Sequence, residues 1–145
     1  MGSDFVKKTA SYVWPISKKV PSQYNGTLEI CWYNGKKRLN SLNANYSYGS
    51  LEKVLVFGLT KLEILQKKPV LLLGLGGGCI ISPLRKRFKC SGKITAVEWD
   101  KEVLNIASRE FGIIESPKLN LVSADAAQFV QNCTSFFGLI IISIF

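Results

Sequence analysis

Val70-Leu71-Leu72-Leu73-Gly74-Leu75-Gly76-Gly77-Gly78 is the stretch that decides how this chain folds. A continuous apolar run suits a short strand buried on both faces. The glycines that follow let the chain turn sharply and let a ligand approach the backbone. A helix is predicted over Ile80 to Phe88, with Pro83 tolerable only in its first turn. Its free N–H groups and positive dipole end would face the turn.

Downstream the same alternation repeats. Strands are predicted over Ile94–Val97, Leu119–Val122 and Leu139–Ile144, with helices over Lys101–Phe111 and Ala126–Gln131. Such repetition implies a parallel sheet with right-handed crossovers. Upstream, Leu51, Val54, Leu55, Leu59, Leu62 and Leu65 recur at helical spacing. Ser50 is the candidate N-cap of that helix, and Lys67-Lys68-Pro69 its stop. Asn34-Gly35 signals a type I′ turn, so residues 24–43 read as a β-hairpin with strands Thr27–Trp32 and Lys36–Leu42. Pro15 and Pro21 make Tyr12–Tyr24 extended or irregular. Asn43–Ser50 reads as a loop and residues 1–11 as a loose terminus. The expected class is α/β, with residues 1–50 as an N-terminal segment and hairpin. Residues 51–145 would form a Rossmann-like core of about four parallel strands.

Composition narrows the chemistry. The 145 residues are 47% hydrophobic and 20% charged, as in a globular protein. No apolar run reaches the roughly 18 residues of a membrane span, and no membrane partner is expected. The longest run, Phe136–Phe145, suits a buried strand. Lys7-Lys8 is followed by no apolar stretch, so a signal peptide is not expected and the compartment reads as cytoplasmic. Cys31, Cys79, Cys90 and Cys133 form no C-x-x-C pair, and there is no histidine. Zinc therefore lacks a ligand set, histidine base chemistry is excluded, and the thiols read as reduced and structural. Net charge is +9, concentrated in residues 1–68, which hold 11 Lys/Arg against 4 Asp/Glu. The cations fall in scattered groups (Lys18-Lys19, Lys36-Lys37-Arg38, Lys67-Lys68) without a nucleic-acid motif. A solvated basic face is the expectation, and nucleic acid is not an expected partner.

Three loops at predicted strand ends carry the candidate site. The first fails the dinucleotide spacing G-x-G-x-x-G, because Cys79 and Ile81 stand where the third glycine belongs. It meets G-x-G-x-G with Gly74, Gly76 and Gly78, and no Gly-Lys-Ser/Thr follows to make a P-loop. The second loop is Val97-Glu98-Trp99-Asp100. Glu98, 22 residues after Gly76, is placed to accept from two ribose hydroxyls, and Trp99 to lie against a base. Asp100 is the better cap for the helix at Lys101. In the third loop Asp125 is placed to accept from an adenine amino group, with the Ala126 N–H pairing the ring. Asp125 is equally a helix cap, and both roles are open to one residue.

Taken together, Val70–Gly78, Ile94–Asp100, Asn120–Ala126 and Phe137–Ser143 resemble the class I S-adenosylmethionine-dependent methyltransferase fold. Within it they are most similar to the spermidine synthase-like (polyamine aminopropyltransferase) branch. The hairpin, and the loop with Tyr46 and Tyr48 before a helix, suit the small β-domain of that branch. The resemblance implies a Rossmann-like core that binds S-adenosylmethionine, its decarboxylated form or methylthioadenosine, with no metal. Gly74, Gly76 and Gly78 would line the methionine-derived portion, Glu98 would hold the ribose, and Asp125 with Ala126 the adenine. The branch has aspartates where this chain has Gly77, Gly138 and Ser143. An aminopropyl acceptor is a polycation whose amine needs a carboxylate, and serine cannot replace one. No catalytic residue is assigned, and an active form is expected to be an S-adenosylmethionine-dependent transferase, with methyl transfer favoured. The fold would continue beyond Phe145, so the chain reads as truncated. The fourth strand would then be an open edge, and pairing of two copies through Leu139–Ile144 is one way to cover it. The alternative function is a non-catalytic basic interaction module for nucleic acid or an oligomer partner.

Overall fold

The computed structural model describes residues 2–41, 45–47 and 49–144, with residues 2–3 and Asn45–Ser47 described by backbone alone. Its second half is the parallel sheet. Strands β5 (Val70–Leu73), β6 (Ile94–Glu98), β7 (Leu119–Ser123) and β8 (Leu139–Ile142) lie in the order β7-β6-β5-β8. All neighbours are parallel, with Val70 opposite both Ile94 and Leu139. Every residue of β5 is buried, as a central strand covered on both faces requires. Val70 and Leu72 face a large core with Ile80, Leu84, Ile94 and Ala107, and Leu71 and Leu73 face a smaller one with Val97. The chain runs outward from β5 through β6 to β7, then returns to the other side of β5 as β8. That reversal opens a crevice at the carboxyl ends of β5 and β8.

Helices α3 (Ile81–Lys86), α4 (Lys101–Phe111) and α5 (Ala126–Asn132) connect these strands. Pro83 sits in the first turn of α3, where its missing N–H has no intrahelical partner to lose. Helix α4 ends on Gly112 in the left-handed region (φ 68°). It serves two cores. Ala107 and Leu104 pack on the parallel sheet, whereas Val103 and Ile106 pack on the N-terminal sheet.

That N-terminal sheet is larger than a hairpin. Strands β1 (Ile16–Ser22), β2 (Gly26–Tyr33), β3 (Lys36–Ser41) and β4 (Asn45–Ser47) form an antiparallel meander. The β2–β3 hairpin is as expected, with Asn34 (φ 48°) and Gly35 (φ 70°) both in the left-handed region of a type I′ turn. Leu42, at the end of the expected return strand, lies outside the described residues, as do Asn43 and Tyr48. Alternation puts Leu28 and Ile30 on one face of β2, where they bury against α4 with Leu39.

Five expectations are corrected here. Tyr12–Tyr24 is not irregular throughout: Ile16–Ser22 is a strand, and its Pro21 is tolerable because β1 is an edge. Residues 2–11 of the terminus expected to be loose are ordered: α1 (Gly2–Ala10) is pinned by the buried Ser11, whose Oγ accepts from Gly35 N (2.9 Å) and whose carbonyl accepts from Asn34 N (3.1 Å). Within the loop expected over Asn43–Ser50, Asn45–Ser47 pairs with β3. Helix α2 (Ser50–Leu59) is shorter than expected, and its N-cap is Gly49 rather than Ser50. It stops where Thr60, Lys61 and Leu62 bond three residues back and Thr60 Oγ1 donates to Phe57 O (2.6 Å). Leu59 is buried, but Leu62 and Leu65 are exposed, because the chain must turn there to let Gln66 O accept from Ser91 and Gly92. The apolar run Phe136–Phe145 is likewise not a buried strand. Strand β8 ends the sheet order, Ile141 alone is buried within it, and Ile140 and Ile142 are 55% and 68% exposed.

Candidate functional site

A cavity of about 490 Å3 opens at the carboxyl ends of β5, β6 and β8. That volume suits a small-molecule site. It is lined by Gly74, Gly76, Val97, Glu98, Trp99, Asp100, Ala124, Asp125, Ala126, Ala127, Ser143 and Ile144, together with Tyr24 and Asn25 from the N-terminal sheet. Of the residues singled out in the sequence, Gly74, Gly76, Glu98, Trp99, Asp125 and Ala126 therefore meet at one cavity. Gly78 is not in its lining and instead backs onto Ile113.

Each wall has a local cause. Gly74 (φ 86°) closes β5, and its N–H donates to Val97 O (2.9 Å). A Cβ there would collide with the backbone carbonyl of Ser143, so the close approach of β5 and β8 needs glycine. Gly76 (φ 55°) turns its N–H toward Glu98, whose Oε2 accepts it at 3.0 Å. Glu98 Oε1 accepts from Asp100 N at 3.2 Å. Glu98 is only 8% exposed, and burial pushes its pKa above the ordinary glutamate value. The amides of Gly76, Asp100 and Leu75 pull the other way, and the nearby Asp100 charge pushes up again. A carboxylate has about four lone-pair sites, so a further donor can be accepted beside these amides.

Asp125 caps α5 by accepting from Gln128 N (2.9 Å). Ala126 and Ala127 open that helix, so their N–H groups have no intrahelical acceptor and border the cavity. Trp99 is 54% exposed, with its ring centroid 4.9 Å from that of Tyr24.

Sequence reasoning missed what the N-terminal sheet contributes. Asp100 does cap α4, accepting from Glu102 N (2.9 Å). Its Oδ2 also accepts from Ser22 Oγ and from Asn25 Nδ2 (2.6 Å). This buried carboxylate ties the β1–β2 turn to the end of β6 and brings Tyr24 over the cavity. A polar Ser22-x-x-Asn25 turn carries no motif for this. An aspartate two residues past Glu98 was the signal available, and capping alone explained it.

No protein-family model matches the chain. A spermidine synthase described as probable, from Corynebacterium glutamicum, superposes over 91% of this chain and 50% of its own, at TM-score 0.58 and 16% identity. Human methyltransferase-like protein 13, solved in complex with SAH, covers 67% of this chain and 48% of its own (TM-score 0.54, 24% identity). The Thermotoga maritima spermidine synthase covers 88% and 45% (TM-score 0.51, 19% identity). Among curated sequences, the eEF1A lysine and N-terminal methyltransferase homologs of Drosophila pseudoobscura and Drosophila melanogaster are 37% and 36% identical over 67 residues. That stretch is 46% of this chain and 10% of each relative. With its β7-β6-β5-β8 order and glycine-cornered cavity, the chain carries part of the Rossmann-like fold shared by spermidine synthases and class I S-adenosylmethionine-dependent methyltransferases.

Proposed function

We propose that this protein binds S-adenosylmethionine or a related S-adenosyl nucleoside in the cavity at Gly74–Gly76, Glu98 and Asp125. The observation that carries this is the buried Glu98 carboxylate, held by backbone amides at the cavity wall, between a glycine corner and the first amides of α5. In this reading Glu98 accepts from the ribose hydroxyls, and Trp99 lies against the base. Asp125 and the Ala126 N–H take the adenine edge. Gly74 and Gly76 leave room for the methionine-derived chain, with Gly78 supporting the turn from behind. Residues 51–145 hold the nucleoside, and residues 1–50 supply a wall through Tyr24 and Asn25.

Methyl transfer is the reaction we favour. It proceeds by holding donor and acceptor in line, without a dedicated base. Aminopropyl transfer is not proposed, because Ser143 borders the cavity where the resemblance calls for a carboxylate, and Gly77 and Gly138 supply none either. We assign the protein to the cytoplasm, where Cys31, Cys79, Cys90 and Cys133, with no C-x-x-C pair among them, suit reduced structural thiols. Among the described residues, no helix is long and apolar enough to cross a membrane.

The test is a fluorescence titration with S-adenosylmethionine, its decarboxylated form and 5′-methylthioadenosine, with Trp99→Phe as the control for signal origin. A saturable change carried by Trp99 is expected. A folded protein that responds to none of the three at millimolar concentration overturns the nucleoside reading.

A further inference from the structure

A second concave feature lies at the far end of α4. Asp100 opens that helix beside the cavity, while Glu110 and Phe111 close it beside a groove of about 1090 Å3. At 1.5 Å per residue the two ends are about 15 Å apart.

The groove gathers cations that are dispersed in the sequence. Lys8 comes from α1, Lys36, Lys37 and Arg38 from β3, Lys53 from α2, and Lys86 with Arg87 from the end of α3. Three carboxylates share the lining, those of Asp4, Glu52 and Glu110. Two of them are spent on one lysine: Lys37 Nζ lies 3.2 Å from Asp4 Oδ2 and 3.0 Å from Glu110 Oε2. The other six cations make no ion pair among the described residues. Arg38 Nε, closed off from solvent, has no hydrogen-bond partner, and the guanidinium carbon sits 5.3 Å from the Tyr33 ring centroid. Trp32 adds a half-buried aromatic surface to the same groove.

Like charges gathered in a concavity repel one another and focus a field that attracts polyanions. We propose that this groove binds the phosphate backbone of a single-stranded nucleic acid. Phosphates match the unpaired lysines, and the part of the Trp32 ring that Lys37 Nζ, 5.0 Å from its centroid, leaves uncovered gives a base a surface to stack on. An acidic peptide would use the cations but not the aromatic ring. Lys18, Lys19, Lys67 and Lys68 stay outside the groove, so the site is a product of folding and not of net charge.

The experiment is fluorescence anisotropy of a labelled RNA or DNA oligonucleotide of about 12 nucleotides, read from about 0.05 to 0.3 M salt. Micromolar binding is expected, with log Kd rising by roughly 0.7 per phosphate contact for each tenfold rise in salt. The variant Lys36→Glu/Lys53→Glu/Lys86→Glu, all at exposed positions, should bind about 30-fold more weakly with a flatter salt slope. The charge-matched variant Lys18→Glu/Lys61→Glu/Lys118→Glu, also at exposed positions, should lose less than about threefold. Equal losses in both variants, no oligonucleotide binding, or tighter groove-dependent binding of a poly-glutamate peptide of matched charge overturns the proposal.

Discussion

Strands β6 and β8 lie on either side of β5, and both end at the cavity, yet they end differently. The end of β6 is built: Glu98 is buried, its two oxygens are held by Gly76 N and Asp100 N, and Asp100 is itself tied to Ser22 and Asn25. The end of β8 is bare: Ser143 and Ile144 border the cavity with no ionisable side chain, and Ile142 and Ile144 are 68% and 56% exposed. In the proposed reading, holding a ligand and transforming it draw on different strand ends, and the residues at the end of β6 supply the holding side.

The two ends meet at Gly74, and the largest effect is expected there. Gly74→Ala places a Cβ against the Ser143 carbonyl at a left-handed φ, and should cost about 3 kcal/mol or more in denaturant unfolding. Gly112→Ala is the companion control. Its φ of 68° is similar but nothing lies within 4 Å, so about 1 kcal/mol is expected. Equal losses would mean that β8 does not press on the glycine corner.

Next is Glu98→Gln, which removes the charge that strengthens bonds to ribose hydroxyls. Nucleoside affinity should fall about 30-fold, near 2 kcal/mol. The same carboxylate sets a pH dependence. Burial holds its pKa above the ordinary value, so protonation begins at a higher pH than for an exposed glutamate. Affinity should therefore fall as pH drops through that raised pKa, and Glu98→Gln should flatten the curve. Stability runs the other way. The folded state holds this proton more tightly than the unfolded chain, so Glu98's contribution is fully present below the unfolded pKa and lost as pH rises through the folded one. Urea midpoints across that window, compared with those of Glu98→Gln, check the sign.

Asp100→Asn loosens the β1–β2 turn while keeping a side-chain oxygen, and about 1 kcal/mol of stability should go with it. A larger share of the change should appear at Tyr24 and Trp99, as a shift in tryptophan emission. The smallest effect is expected at the bare end. Ser143→Asp should alter nucleoside affinity by less than about threefold, since a half-exposed carboxylate without a cationic partner contributes under about 1 kcal/mol. A large change there would show that β8 does hold the ligand.

The parallel sheet and the β2–β3 hairpin were legible because their signals are local. A run of four apolar residues, glycines at G-x-G-x-G, the amphipathic span Lys101–Phe111 and the Asn34-Gly35 turn each specify their own structure. Helix α1 and strand β1 were not legible. Their order rests on Ser11 meeting the hairpin turn and on β1 pairing along β2, contacts that no short window contains. Helix α2 was overextended because leucine spacing continues through Leu65 after the backbone has turned away. The site divides the same way. Its glycines and acids sit at the ends of recognisable strands, whereas Tyr24 and Asn25 arrive from about 75 positions upstream through Asp100. The basic groove was read as scattered charge because its cations converge only in the fold.

Isothermal titration calorimetry of S-adenosylmethionine into the wild-type protein and the Glu98→Gln variant, both confirmed folded, tests the central claim most directly. One site on the wild type and a roughly 30-fold weaker one on the variant is the expected result. Equal affinity for both proteins, or no heat from either, would contradict the assignment of this cavity to an S-adenosyl nucleoside.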